Sequence, residues 1–249
     1  MPLKLGKLDP RPHPATLDFA RYLTGELPEP AHKVWREYAV PASAKQMYGN
    51  SDYSDCVWAM CANALILTSV HTGPIVVPTL QEVLAGYSAV TGFDPLTGAN
   101  DDGTAMTDAL AYWKDVGIGG HKILAWAQID HTNLVHRKLG VDLFGMTLVG
   151  VQLPASAQEQ FAAGQPWEYI PDSPIEGGHA ILRCGYGAAG SDYESWAKWD
   201  QKASNDWEAN CIDEEYVIIT PQFINQATQR TPGGLDLATL QADLAAMKV

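Results

Sequence analysis

Hydrophobic spacing changes character along this chain, and the change falls near residue 121. Before it, apolar residues gather in stretches that suit helices. From Cys56 to Thr68 there is no Gly or Pro, and Asp55 is a favoured N-cap ahead of the run, so a helix is predicted there. Thr79 opens a second helix, TLQEVLAGYSAVTG, whose Thr-x-x-Glu has the spacing of a capping box. A turn-rich stretch, FDPLTGANDDGTAM, leads to a third helix, TDALAYWKDVG, that stops at Gly117. Beyond residue 121 short apolar runs take over. HKILAWAQI predicts a strand, HTNLVHRKLGVDLFG a helix, MTLVGVQLP a buried strand and SAQEQFAAG a short helix. Three more strands are expected at HAILRCGYG, YESWAKWD and EEYVIIT, and LDLATLQADLAAM reads as an amphipathic helix after a Pro-Gly-Gly turn. Residues 1–33 are Pro-rich and read as an extended arm with one short helix near TLDFARYL, and 34–46 as a strand followed by a loop. A helical first half and a strand-rich second half predict an α+β protein of two lobes.

Composition narrows the function classes. Of 249 residues, 46% are hydrophobic and 18% charged, enough core material for one large domain or two packed lobes. The formal charge of −13 and the scatter of the basic residues oppose a phosphate backbone, so no nucleic-acid partner is expected. The longest apolar runs are too short to cross a bilayer, and no membrane partner is expected. The opening MPLKLGKLDPRPHP has lysines but no apolar stretch behind them, so it is not read as a secretory signal; a cytoplasmic location is expected, and assembly into a particle would leave no mark. Asp94, Asn100, Asp101 and Asp102 supply oxygen ligands, but their spacing does not fit an EF-hand, and a solvated loop is expected rather than a metal site. The four cysteines have neither a secretory signal nor a ligand cluster beside them. Cys61, Cys184 and Cys211 are read as small buried hydrophobes, and Cys56 as special. No cofactor is expected.

Cys56 follows a loop of small and polar residues, YGNSDYSDC, and starts a helix. A helix N-terminus carries partial positive charge and favours a thiolate there. A cysteine nucleophile needs a base, generally distant in sequence. Of the seven histidines, His179 stands out because it follows Glu176-Gly177-Gly178 and begins an apolar strand. The two glycines let other chain segments come close to its ring. The alternative is a strand-end histidine satisfied by a backbone carbonyl. Trp113, Trp126, Trp167 and Trp196 could line a cleft, but core filling is the better expectation for any one of them.

Taken together, these residues resemble the papain-like cysteine peptidases. VWREYAVPASAKQMYGN is similar to that family's Asp-Trp-Arg lead-in, DCVWAMCANAL to its nucleophile helix, and FGMTLVGVQLPASAQEQFAAGQPWEYIP to its strand and Phe segment. GGHAILRCGYG resembles the histidine strand, with SWAKWD and EEYVIIT as the last two strands. The similarity spans roughly residues 34–220. The chain also resembles papain-like proteins of bacteria and bacteriophages. The resemblance implies a helical lobe over about 47–120, a sheet lobe over about 121–220, and a tail, 221–249, carrying a helix. It implies Cys56 as nucleophile, His179 as base and Asn50, six residues before the nucleophile where the family has Gln, as a donor to the oxyanion beside the Cys56 N–H. Asp200 is the expected third member, with Asn205 as the alternative. The implied partner is a peptide or protein substrate.

Three departures stand out. Val57 separates Cys56 from Trp58, whereas the family has Trp directly after the nucleophile; strict alignment of Trp58 would put Val57 in the nucleophile's place. Asp55-Cys56 instead resembles an Asp-Cys-x-x-Ala start seen in distant relatives. Asn50 replaces Gln, and some thirty residues before Trp35 are too few for a full inhibitory propeptide. A catalytically inactive descendant, serving as a structural or accessory component alongside other virion proteins of a phage particle, is the alternative function.

Overall fold

From Cys56 to Leu67, helix α1 (Cys56–Thr72) carries one polar side chain, Asn63, and every residue from Cys56 to Ala64 is buried. A helix apolar all round must be surrounded, and this one lies between two further helices and a sheet. The structure, a computed structural model, describes residues 3–24, 31–34, 40–72, 74–221, 223–224 and 235–246. Helix α2 (Leu80–Thr91) begins with the expected capping box: Glu82 N–H donates to Thr79 Oγ1 (3.2 Å), and Thr79 N–H donates to Glu82 Oε2 (2.7 Å). Helix α3 spans Met106–Asp115.

The strands are β1 (Leu17–Asp18), β2 (Lys33–Val34), β3 (Ala125–Gln128), β4 (Thr147–Pro154), β5 (Ile175–Tyr186), β6 (Gly190–Ser195), β7 (Lys198–Ser204) and β8 (Ile212–Ile219). They form an open sheet in the order β1-β3-β8-β4-β5-β6-β7, with β2 also on β5; β1–β3 is parallel and the other pairs are antiparallel. Helices α4 (Leu134–Phe144), α5 (Ala155–Ala162), α6 (Asn205–Cys211) and α7 (Leu237–Ala246) complete the fold.

Alternation along β5 assigns its two faces. Ala180, Leu182 and Cys184 join α1 in one core, whereas Ile181 joins Trp167, Tyr193, Trp196 and Trp207 in another. Phe19 and Tyr22 from the arm pack with Val217, Leu240 and Leu244 in a third. Among the described residues, no helix is long and apolar enough to cross a membrane.

Several elements differ from the sequence reading. The strand expected at 121–129 is confined to Ala125–Gln128, because Gly117, Gly119 and Gly120 take positive φ and a tight turn bridges Ile118 to His121. YESWAKWD is not one strand but two. Trp196 and Ala197 both have positive φ (48° and 60°), reversing the chain between β6 and β7 and pairing Ser195 with Lys198. Ala197 N–H donates to Glu194 Oε1 (3.1 Å), which ties the turn down. Most of the strand expected from residue 34 falls at 35–39, outside the described residues. Asp55 precedes α1 but does not cap it. Its carboxylate is buried with no hydrogen-bond partner among the described residues, while its carbonyl accepts from Trp58 and Ala59 N–H. Burial, then the charge of Asp101, pushes the Asp55 pKa well up.

Candidate active site

Cys56 is the first residue of α1, so its N–H has no partner within the helix. Cys56 and Ala180 line one recess, and the backbone amides of Ala180 and Gly6 favour the thiolate against the larger opposing effect of burial. Ala180 follows His179 directly, so the start of α1 meets β5 beside the histidine. Trp58 points elsewhere: its Nε1–H donates to Thr104 Oγ1 (3.0 Å) and its ring lies over Gly86 and against Tyr112. Val57 is buried in the same core. Cys56, not Val57, shares the recess with Ala180 of the histidine strand. Cys61, Cys184 and Cys211 are buried and in no disulfide among the described residues, as expected of core thiols.

His179 Nε2 is hydrogen-bonded to Ser195 Oγ at 3.0 Å, and the ring stacks on Trp196 with centroids 4.1 Å apart and planes at 17°. Nδ1 is buried with no hydrogen-bond partner among the described residues. Ser195 thus stands where Asp200 or Asn205 was expected. The β6–β7 reversal explains the difference: it carries Asp200 to an exposed position on β7, while Asn205 begins α6 and donates to Ala188 O (2.8 Å). Neither meets the imidazole. Ser195 and Trp196 lay inside a segment of recognised interest, but a reversal without Gly, Asn or Pro gave no sign of the turn that aims them.

Asn50 follows Tyr48 and Gly49, both with positive φ (52° and 92°), a turn closed by Asn50 N–H donating to Met47 O (3.0 Å). Its Oδ1 is buried with no hydrogen-bond partner among the described residues. Asn50, Cys56, Asn63, Glu194 and Trp196 line one recess of ≈ 10 Å³, about the space a single water needs. Burial pushes the Glu194 carboxyl up to about 8, opposed by the hydrogen bond from Ala197 N–H and by the nearby Asn63 side chain.

The N-terminal arm crosses this site. Gly6 and Lys7 N–H both donate to Gly178 O (3.1 and 3.0 Å), Thr104 N–H donates to Gly6 O (2.8 Å), and Leu8 N–H donates to Thr104 O (3.1 Å). The segment is therefore bonded on one side to the strand that carries His179 and on the other to the loop before α3. Contact is close enough to need glycine twice: a Cβ on Gly6 would lie 1.9 Å from Ser54 O, and one on Gly178 would lie 2.1 Å from Lys7 O. The close approach anticipated at Gly178 is made by the arm. With the arm in place, Cys56 and His179 both have 0% exposure. Burial raises the Cys56 thiol to about 12 and lowers His179 to about 3, so both are neutral in this state. Gly6, Lys7 and Leu8 supply these contacts from the arm.

A structural comparison supports the overall arrangement. Xylellain, a cysteine protease of Xylella fastidiosa, superposes with a TM-score of 0.68 over 88% of this chain and 96% of its own, at 14% identity. This chain has the papain-like fold. A digestive procathepsin L 3 of Tenebrio molitor shares it at a TM-score of 0.60, over 82% of this chain and 74% of that one, with 15% identity. The Carica candamarcensis protease CMS1MS2, in complex with E-64, shares it at 0.55 over 77% and 99%, with 12% identity. No protein-family model and no curated protein matches the sequence. The papain-like fold accounts for the meeting of α1 and β5.

Proposed function

We propose that this papain-like chain is a cysteine-dependent peptidase whose own N-terminal arm keeps it latent. One observation carries the reading: Cys56, at the start of α1, lines one recess with Ala180, the residue after His179, while His179 Nδ1 has no hydrogen-bond partner among the described residues. Once the arm is displaced, water reaches both groups and the desolvation that keeps them neutral falls away. The thiol proton then passes to His179, and the sulfur attacks the substrate's amide carbon. The Cys56 N–H and the Asn50 amide hold the developing oxyanion. His179 returns the proton to the departing amine, leaving a thioester. Water activated by the same imidazole attacks the thioester, releasing the acid and restoring the thiol. Ser195 and Trp196 are positioning residues that fix the ring. The substrate is a peptide or protein, and no step calls for a cofactor.

Gly6→Ala tests the reading because the arm cannot keep its position with a methyl group there. Alkylation of Cys56 by iodoacetamide at about pH 6 is expected to rise about tenfold or more over the unaltered chain, with fluorogenic peptide hydrolysis appearing in parallel. Cys56→Ser in the same background is expected to abolish hydrolysis. Cys56 labelling as sluggish as that of Cys61 in both chains would overturn the proposal.

A second reading is a catalytically silent papain-like protein, serving as a structural or accessory component, of a phage particle for example. The complete enclosure of Cys56 and His179 favours it. Fast Cys56 labelling without hydrolysis of any peptide, in the arm-displaced chain, would select it.

A further inference from the structure

The arm does more than cover the cysteine, because its lysine occupies a built site. The Lys7 side chain has 0% exposure, and its ammonium donates to Asp213 Oδ2 (3.0 Å), Glu214 Oε1 (3.1 Å) and Leu8 O (3.0 Å). Both carboxylates are held by further bonds: Tyr216 OH donates to Glu214 Oε2 (2.8 Å), and Gln152 Nε2 donates to Asp213 Oδ2 (2.8 Å).

Backbone irregularity makes this possible. Along the β4–β8 ladder Gly150 pairs with Glu214, yet Val151 pairs with Ile212, so Asp213 is an extra residue on β8. Without that bulge, consecutive residues would point to opposite faces and could not reach one ammonium. The floor is Gly150, where a Cβ would come within 2.8 Å of Lys7 Cδ and Cε. Three features, a bulge, a glycine floor and two oriented carboxylates, thus converge on a single cationic side chain.

We propose that this pocket is a cation-selective subsite for peptide ligands, occupied here by the chain's own Lys7 and open to a lysine-bearing peptide when the arm leaves. The inference deepens the proposed function, on which its role in substrate choice rests, although binding can be read without turnover. A peptide entering the groove would take over the backbone bonds now made to Gly178 O and Thr104, which carry no sequence information. Selection would then fall to the pocket. An apolar side chain of equal length would leave Glu214, with no exposed side-chain surface, without a counter-ion, and a carboxylate buried that way is strongly disfavoured. An acidic side chain would add a third negative charge. The chain's charge of −13 also favours cationic ligands at longer range.

The test uses the full chain with Lys7→Met, which takes the ammonium out of the pocket while keeping the side chain's length. Two labelled peptides are compared by fluorescence anisotropy: acetyl-Leu-Gly-Lys-Leu-amide, matching residues 5–8, and the same peptide with norleucine for lysine. The lysine peptide is expected to bind about tenfold or more tightly, and Glu214→Gln added to Lys7→Met to erase that preference. Equal binding of the two peptides, binding of neither, or a preference untouched by Glu214→Gln overturns the proposal. If Lys7→Met does not fold, Gly6→Ala displaces the arm by another route and carries the same comparison. Lysine-selective binding without hydrolysis of any peptide would keep the subsite and remove the peptidase reading. Hydrolysis with no lysine preference would do the reverse.

Discussion

Glu214 and Glu215 are neighbours on β8, both bear fully buried carboxylates, and both are matched by a buried cation, yet the two pairs differ in kind. Glu215 meets Arg183 of β5 (3.2 Å) on the sheet face away from α1, within a network that includes Glu208, Arg137, Tyr193 and Thr147. Every member of that network belongs to the packed elements α4, α6, β4, β5, β6 and β8. Glu214 meets Lys7, whose segment is held by a handful of backbone bonds and crosses from one lobe to the other. Arg183 offers a planar fork to several acceptors at once, whereas Lys7 is a single point charge on a flexible stem. Burial and distance are alike in the two pairs. What separates a permanent ion pair from an exchangeable one is whether the segment carrying the cation can leave without unfolding its surroundings.

Breaking each pair in turn exposes that difference. The largest effect is expected from Arg183→Met, which strands Glu208 and Glu215 without their shared cation; a loss of about 3–5 kcal/mol in urea unfolding is expected. Lys7→Met should cost less, about 1–3 kcal/mol, because the arm can lift and let water reach Glu214. It should also speed Cys56 alkylation, which Arg183→Met at denaturant concentrations well below its own transition should not. A stability loss for Lys7→Met equal to that of Arg183→Met would show that the arm is as integral as the sheet.

The smallest effect concerns Glu194, and pH sharpens it. Its carboxyl is raised to about 8 in the folded chain, well above the usual carboxylate range. Between those two values the unfolded chain has lost the proton and the folded chain keeps it, so this group's contribution falls as pH rises, and is gone above about 8. Glu194→Gln is expected to flatten that decline and to raise stability at pH 8 by about 1 kcal/mol, read from thermal unfolding across the window. An unchanged slope would remove Glu194 as its source.

Much of the papain-like fold was legible because it is written in local pattern. The Gly- and Pro-free run after Cys56, the Thr79–Glu82 capping box and the apolar strands at 147–154 and 175–186 are each specified within a dozen residues. The site was legible in part. Cys56 and His179 were read from a helix start and a glycine-flanked strand, and Asn50 from its offset; Cys56 and Asn50 line one recess with Ala180, the residue after His179. Asp200 was misplaced because Trp196 and Ala197 take left-handed backbone conformations that their side chains do not advertise; the stacking of Trp196 on His179 accompanies that unusual turn. The arm was illegible for a different reason. Lys7 looked like one scattered basic residue, and its partners stand 206 and 207 positions away. Spacing within one sequence carries no trace of such a contact, nor of the bulge at Asp213 that receives it.

The arm is held to its surroundings by backbone hydrogen bonds at Gly6, Lys7 and Leu8 and by the ion pairs of Lys7. Contacts of that kind can be broken and remade without cutting the chain. Such a molecule would be reset rather than consumed: its output would follow how much competing polypeptide surrounds it at the moment, and would fade once that competitor was gone, with no irreversible maturation step to record the past.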